Sequence, residues 1–139
     1  MTRLTPTAVA ALAFLALPGC IVYADEPGPR PLNDAPEITY ADASCGWDDY
    51  YWDDVWFFDA DVADADGDVV EVFADVYDAY SGQWVDGFPL DWEVGGTWSS
   101  AWVGSSTYLA CGYPDYVVDF TAIDSFGASD VVTTYPWVW

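Results

Sequence analysis

Histidine and lysine are missing from this sequence of 139 residues. Only two arginines, Arg3 and Arg30, offset 24 acidic side chains, for a formal charge of −22. Without imidazole no Ser-His-Asp triad, Cys-His pair or histidine metal site can be assembled. Without lysine, Schiff-base catalysis is excluded. Two arginines cannot neutralise a phosphate backbone, so nucleic acid is excluded as a partner. Carboxylate-pair catalysis remains open to this composition, as in glycosidases that hold two carboxyls ~5–10 Å apart. Among 24 acids some pair meets that spacing by chance, so the pattern carries no signal. The Asp-Thr/Ser-Gly motif of aspartic proteases does not occur. The expectation is a protein that is not an enzyme.

Long apolar runs are also scarce, with one exception. Met1 to Thr7 carry one cation and no acid, and Ala8 to Leu17 are then uninterruptedly apolar. That run falls short of the ~20 residues of a membrane span but suits the core of a secretory signal. It ends in Leu17-Pro18-Gly19-Cys20. Here the sequence resembles bacterial lipoprotein precursors, whose lipobox places leucine three positions, and a small residue one position, before an invariant cysteine. The resemblance implies a signal peptide over 1–19, cleavage before Cys20, and lipid on its sulfur and on the new amino terminus. Several acyl chains hold firmly, at ~0.8 kcal/mol per buried methylene. In the sorting rule of enteric bacteria, Ile21 after the cysteine implies the outer membrane. Setting Cys20 aside leaves Cys45 and Cys111, an even pair in an oxidising compartment, for which a disulfide is the default reading.

Residues 20–36 contain Pro27, Pro29, Pro31 and Pro36 and read as an extended linker. From 37 to 139 the helical spacing of apolar residues is absent and β-branched and aromatic residues dominate. Trp56, Phe58, Ala60 and Val62 alternate with Asp59 and Asp61. Val70, Val72, Ala74 and Val76 form a second alternating set, and Tyr116, Val118, Phe120 and Ala122 a third. Ser81-Gly82 and Gly95-Gly96 supply turns. Seven strands follow, at about 37–43, 53–62, 69–78, 83–93, 97–103, 115–123 and 129–138. The expected fold is all-β: an antiparallel Greek-key β-sandwich of seven strands. In that topology Cys45, before the second strand, and Cys111, before the sixth, share one end.

The domain resembles bacterial immunoglobulin-like modules of exported proteins, the group that includes cadherin-like and PKD-like repeats. The likeness rests on Asp61-Val62-Ala63-Asp64-Ala65-Asp66-Gly67-Asp68, on Gly95-Gly96-Thr97-Trp98-Ser99 and on Ala122-Ile123-Asp124-Ser125-Phe126-Gly127. The antibody pattern is not matched, since each cysteine precedes its strand; no buried disulfide between the second and sixth strands is expected.

Two clusters are candidate sites. Asp61, Asp64, Asp66 and Asp68, with Asp124 at the same end, offer the oxygen ligands that Ca²⁺ requires. The plainer reading is a solvated turn, because Asp and Gly favour turns anyway. The second cluster is the run Trp47 to Phe58, within which Tyr50, Tyr51 and Trp52 are candidates for ligand binding. Nine tryptophans exceed what one small core absorbs. Aromatic faces beside carboxylates hold sugar rings in many β-sandwich modules, and exposed aromatics also mark protein interfaces. Cross-strand pairing that only stabilises the sheet is the alternative, favoured for Trp56, Phe58 and Trp98. The expected function is a membrane-anchored binding or structural module whose partner is an envelope protein or a glycan.

Overall fold

The computed structural model describes residues 33–112 and 115–139. The expected signal peptide, Cys20 and the linker up to 32 lie outside the described residues. Among the described residues nine strand segments follow one another: β1 (Glu37–Asp48), β2 (Asp53–Ala63), β3 (Val69–Asp78), β4 (Trp84–Pro89), β5 (Asp91–Trp92), β6 (Thr97–Val103), β7 (Tyr116–Asp124), β8 (Ser129–Thr134) and β9 (Trp137–Val138). They form two sheets packed as a sandwich, ordered β5-β6-β2-β1-β9 and β4-β3-β7-β8. Every pairing is antiparallel except β1 with β9.

Alternation explains the core. Trp56, Phe58, Ala60 and Val62 of β2 face Val72, Ala74 and Val76 of β3 and Tyr116, Val118, Phe120 and Ala122 of β7, all buried. Phe58 is the hub. Its ring stacks on Phe88 at 4.7 Å and lies 6.2 Å from Trp56 and 6.4 Å from Phe120. Offset and tilted ring pairs of this kind add to the burial of the rings themselves. Val70 departs from the expected inward set and is exposed, because a bulge between Val69 and Glu71 resets the alternation of β3.

Two expected strands are each divided between the sheets. The 83–93 segment begins as β4 beside β3 and ends as β5 beside β6. Pro89 closes the first piece, and the amide of the buried Leu90 donates to Val72 O. The 129–138 segment switches likewise at Tyr135-Pro136, β8 pairing with β7 and β9 with β1. Proline has no amide hydrogen for the ladder, so strand ends fall there. The first strand, by contrast, runs on to Asp48, which places Cys45 inside β1 rather than in a connection. Cys45 and Cys111 form a disulfide, with Cα atoms 5.8 Å apart. The chain then folds its last residue back: the Trp139 amide donates to Cys45 O, and a Cβ on Gly46 would fall 2.5 Å from the Trp139 ring. Glycine at 46 is what lets that indole lie against the sheet.

Both outer faces carry a pair of aspartates directly opposite one another, Asp42–Asp59 and Asp75–Asp119. Each pair receives an indole N–H, from Trp137 onto Asp42 and from Trp84 onto Asp75. Like charges across a ladder oppose pairing. Burial, and then the neighbouring Asp42 and Asp61, push the Asp59 carboxyl above its ordinary range. A carboxyl raised on folding binds its proton more tightly in the folded state, so its stabilising contribution is present at low pH and lost as pH rises. Asp59→Asn is therefore expected to raise the melting temperature at pH 7 by a few degrees, about 0.5–1 kcal/mol. Melting at pH 7 and at pH 3 checks this, and the gain should vanish at the lower pH.

Candidate functional site

The two ends of the sandwich carry different chemistry. At one end β1 turns into β2 through Asp49 to Trp52. Asp48 shapes this turn: its Oδ1 accepts the amides of Tyr50 (2.8 Å) and Tyr51 (3.2 Å), and its carbonyl accepts the Trp52 amide. Side-chain capping of this kind is why aspartate nucleates turns. Trp52 adopts a φ of +52°, a conformation in which residues other than glycine are uncommon. The turn holds the rings out in solvent: Tyr50, Tyr51 and Trp52 are 83%, 54% and 78% exposed. Tyr50 and Tyr51 meet edge to face at 4.9 Å, while Trp47 donates its indole N–H to Asp49. Trp56 and Phe58, expected to pair within the sheet, are buried, and Trp98 is partly buried against the core. Tyr50, Tyr51 and Trp52 together present an aromatic surface beside carboxylates.

The opposite end gathers most of the expected aspartates. In the β2–β3 loop, Asp64 accepts the amides of Asp66 (2.9 Å) and Asp68 (3.2 Å). Asp68 accepts the Ser125 hydroxyl, and its carbonyl accepts the Ser125 amide, which joins this loop to the β7–β8 turn. Asp124 is 2% exposed. It accepts the Phe126 and Ala128 amides and the Asn33 side-chain amide at 2.7–2.8 Å. These contacts, the Asn33 amide foremost, hold its carboxyl below the ordinary range against the cost of burial. Asp66 accepts the Asp34 amide. Asp61 stands apart, accepting the Thr97 hydroxyl on the outer face. The structure thus places Asp64, Asp66, Asp68 and Asp124 in adjoining loops at this end, with Asp61 apart from them.

Both oxygens of Asp64 and Oδ1 of Asp124 are occupied by amides of the loops they shape. Asp68 Oδ1 and Asn33 Oδ1 are buried and have no hydrogen-bond partner among the described residues. Among the described residues no three acidic side chains converge as a metal-binding group. Asn33 and Asp34 did not stand out in the sequence, because nothing local signals contacts with residues 91 and 32 positions away.

Trp92 and Trp98, paired across β5 and β6, also line this end, and their sequence context gave no hint of a groove. No protein-family model, curated protein or solved structure matches the chain.

Proposed function

We propose that the chain is an exported, non-catalytic lipoprotein: anchored through Cys20, it presents an acidic immunoglobulin-like module that engages a protein of the cell envelope. One observation carries the reading. On a domain without a cationic side chain among its described residues, the rings of Trp47, Tyr50, Tyr51 and Trp52 are gathered at one end and exposed. Carboxylates alone keep a small domain soluble. Clustered exposed aromatics oppose solubility and are characteristic of binding surfaces. The partition of strands supports the immunoglobulin-like assignment, because β1, β2, β5 and β6 share one sheet and β3, β7 and β8 the other, as strands A, B, D, E and C, F, G do in that fold.

The test is affinity capture from an envelope fraction by the full chain and by a Tyr50→Ala/Tyr51→Ala/Trp52→Ala variant. These rings are solvent-exposed, so the variant should melt within about 0.5 kcal/mol of the parent. Loss of a discrete partner at unchanged stability is the expected result; identical capture by both chains overturns the reading. The same exposure favours a second reading, sugar binding by ring stacking. A glycan array positive for the parent and blank for the triple variant would select it.

A further inference from the structure

A groove runs beside the β2–β3 loop at the end opposite Tyr50–Trp52. One part, about 430 Å³, is lined by Val62, Val69, Trp92 and Trp98 together with Asp64. Its floor is set by backbone contact. The Val62 amide donates to Gly96 O at 2.9 Å, and a Cβ at residue 96 would lie 2.7 Å from Val62 O. Glycine there, at φ +93°, lets the β5–β6 turn sit directly on the end of β2. A second hollow of about 450 Å³ shares Ala63 and Asp64 with the first and adds Asp34 and Glu37. Ala63 and Asp64 thus border both hollows, the first lined by indoles and the second by carboxylates.

We propose that this groove binds an organic cation, an ammonium or guanidinium group carried on an apolar stem. Three features select that chemistry. Carboxylates accept hydrogen bonds and do not donate them, so Asp34 and Glu37 match a ligand rich in N–H donors, while Asp64, whose oxygens already serve the Asp66 and Asp68 amides, adds negative charge. Indole faces attract cations through the ring quadrupole, and Trp92 is 62% exposed. No Lys, Arg or His occurs among the described residues, so nothing in the domain offsets its field, which draws cations towards the surface. The apolar walls take the methylene stem, which long cationic side chains bury while their heads stay polar. A neutral sugar could use the rings and donate its hydroxyls to the carboxylates, but the net negative field of the domain would not draw it in.

A free polyamine and a lysine side chain of a peptide share this chemistry. Titration calorimetry of the full chain with spermidine, with the tripeptide Ala-Lys-Ala and with cellobiose separates the sources. Saturable binding of either cation, with no heat from cellobiose, is expected. Trp92→Ala should weaken the cation by about tenfold, or about 1.4 kcal/mol, at unchanged melting temperature. Glu37→Gln should weaken it about two- to threefold, and added salt should weaken it further. The Tyr50/Tyr51/Trp52 triple variant should bind spermidine as the parent does, which keeps this test separate from that of the aromatic turn. Equal affinity in Trp92→Ala and parent would mean diffuse attraction to an acidic surface and would overturn the proposal. So would binding of cellobiose alone, or of no probe.

Discussion

Removing the Cys45–Cys111 disulfide is expected to cost the domain about 4 kcal/mol of folding stability. The bridge closes a loop with a sequence separation of 66, and closing such a loop removes conformational entropy from the unfolded chain. Domains of this size are stable by only about 5–15 kcal/mol in total, so the loss should lower the melting temperature by about 15–30 °C. Location adds to the effect. Cys45 is 1% exposed and opposite Trp56 in the ladder between β1 and β2, and the bridge ties the segment before β7 to the first strand. Cys45→Ala/Cys111→Ala removes both the constraint and the sulfur volume, whereas chemical reduction removes the constraint alone. Urea melts of the oxidised, reduced and doubly substituted chains separate the two contributions. Reduction should account for most of the loss. A deficit below about 1 kcal/mol on reduction would show that the bridge does not restrain the unfolded chain through this loop.

The strand cores were legible because period-2 alternation is a direct consequence of burying one face. Trp56 to Val62 and Tyr116 to Ala122 hold their expected faces. The failures have local physical causes. Pro89 and Pro136 split strands that read as continuous, because apolar content persists across each proline while the ladder does not. Val70 was lost to a bulge, which adds one residue without changing composition. β1 extends five residues past its expected end because Ser44 to Asp48 pair with β2, although Cys-Gly-Trp-Asp reads as a loop. At the acidic end the aspartates of the β2–β3 loop were visible from their spacing, but their partners were not. The contact of Asn33 with Asp124 is a tertiary event, and so is the gathering of Trp92 and Asp64 around one hollow. The cross-strand pairs Asp42–Asp59 and Asp75–Asp119 were equally hidden, since register and not sequence sets which aspartates oppose one another.

Asp124→Ala is expected to give the largest loss among single substitutions of the acidic residues, lowering the melting temperature by about 10 °C. Its carboxylate serves three donors: Oδ1 accepts the Phe126 and Ala128 amides, and Oδ2 accepts the Asn33 side chain. Alanine leaves those donors without an acceptor at a site that water hardly reaches, and unpaired donors are costlier to leave than a contact is to lose. The damage spreads beyond the turn, because Ser125, the next residue, carries the contacts that join this turn to Asp68. Asp124→Asn keeps the shape but sets an NH₂ group against donors, so it should fall between alanine and the parent. Acid should reproduce the asparagine variant. A carboxyl depressed on folding contributes stability that is fully present above its unfolded value near pH 3.9 and lost as pH falls through the folded value. The gap in melting temperature between parent and Asp124→Asn should therefore be constant from about pH 5 to 8 and shrink below about pH 4. Asp53 and Asp78 are depressed as well, by hydrogen bonds from Ser105 and Ser81 respectively, but their protonation affects parent and variant alike and cancels in the difference. A gap that stayed constant down to pH 2 would mean that Asp124 acts by shape, and that the ionised carboxylate is not what closes this end of the sandwich.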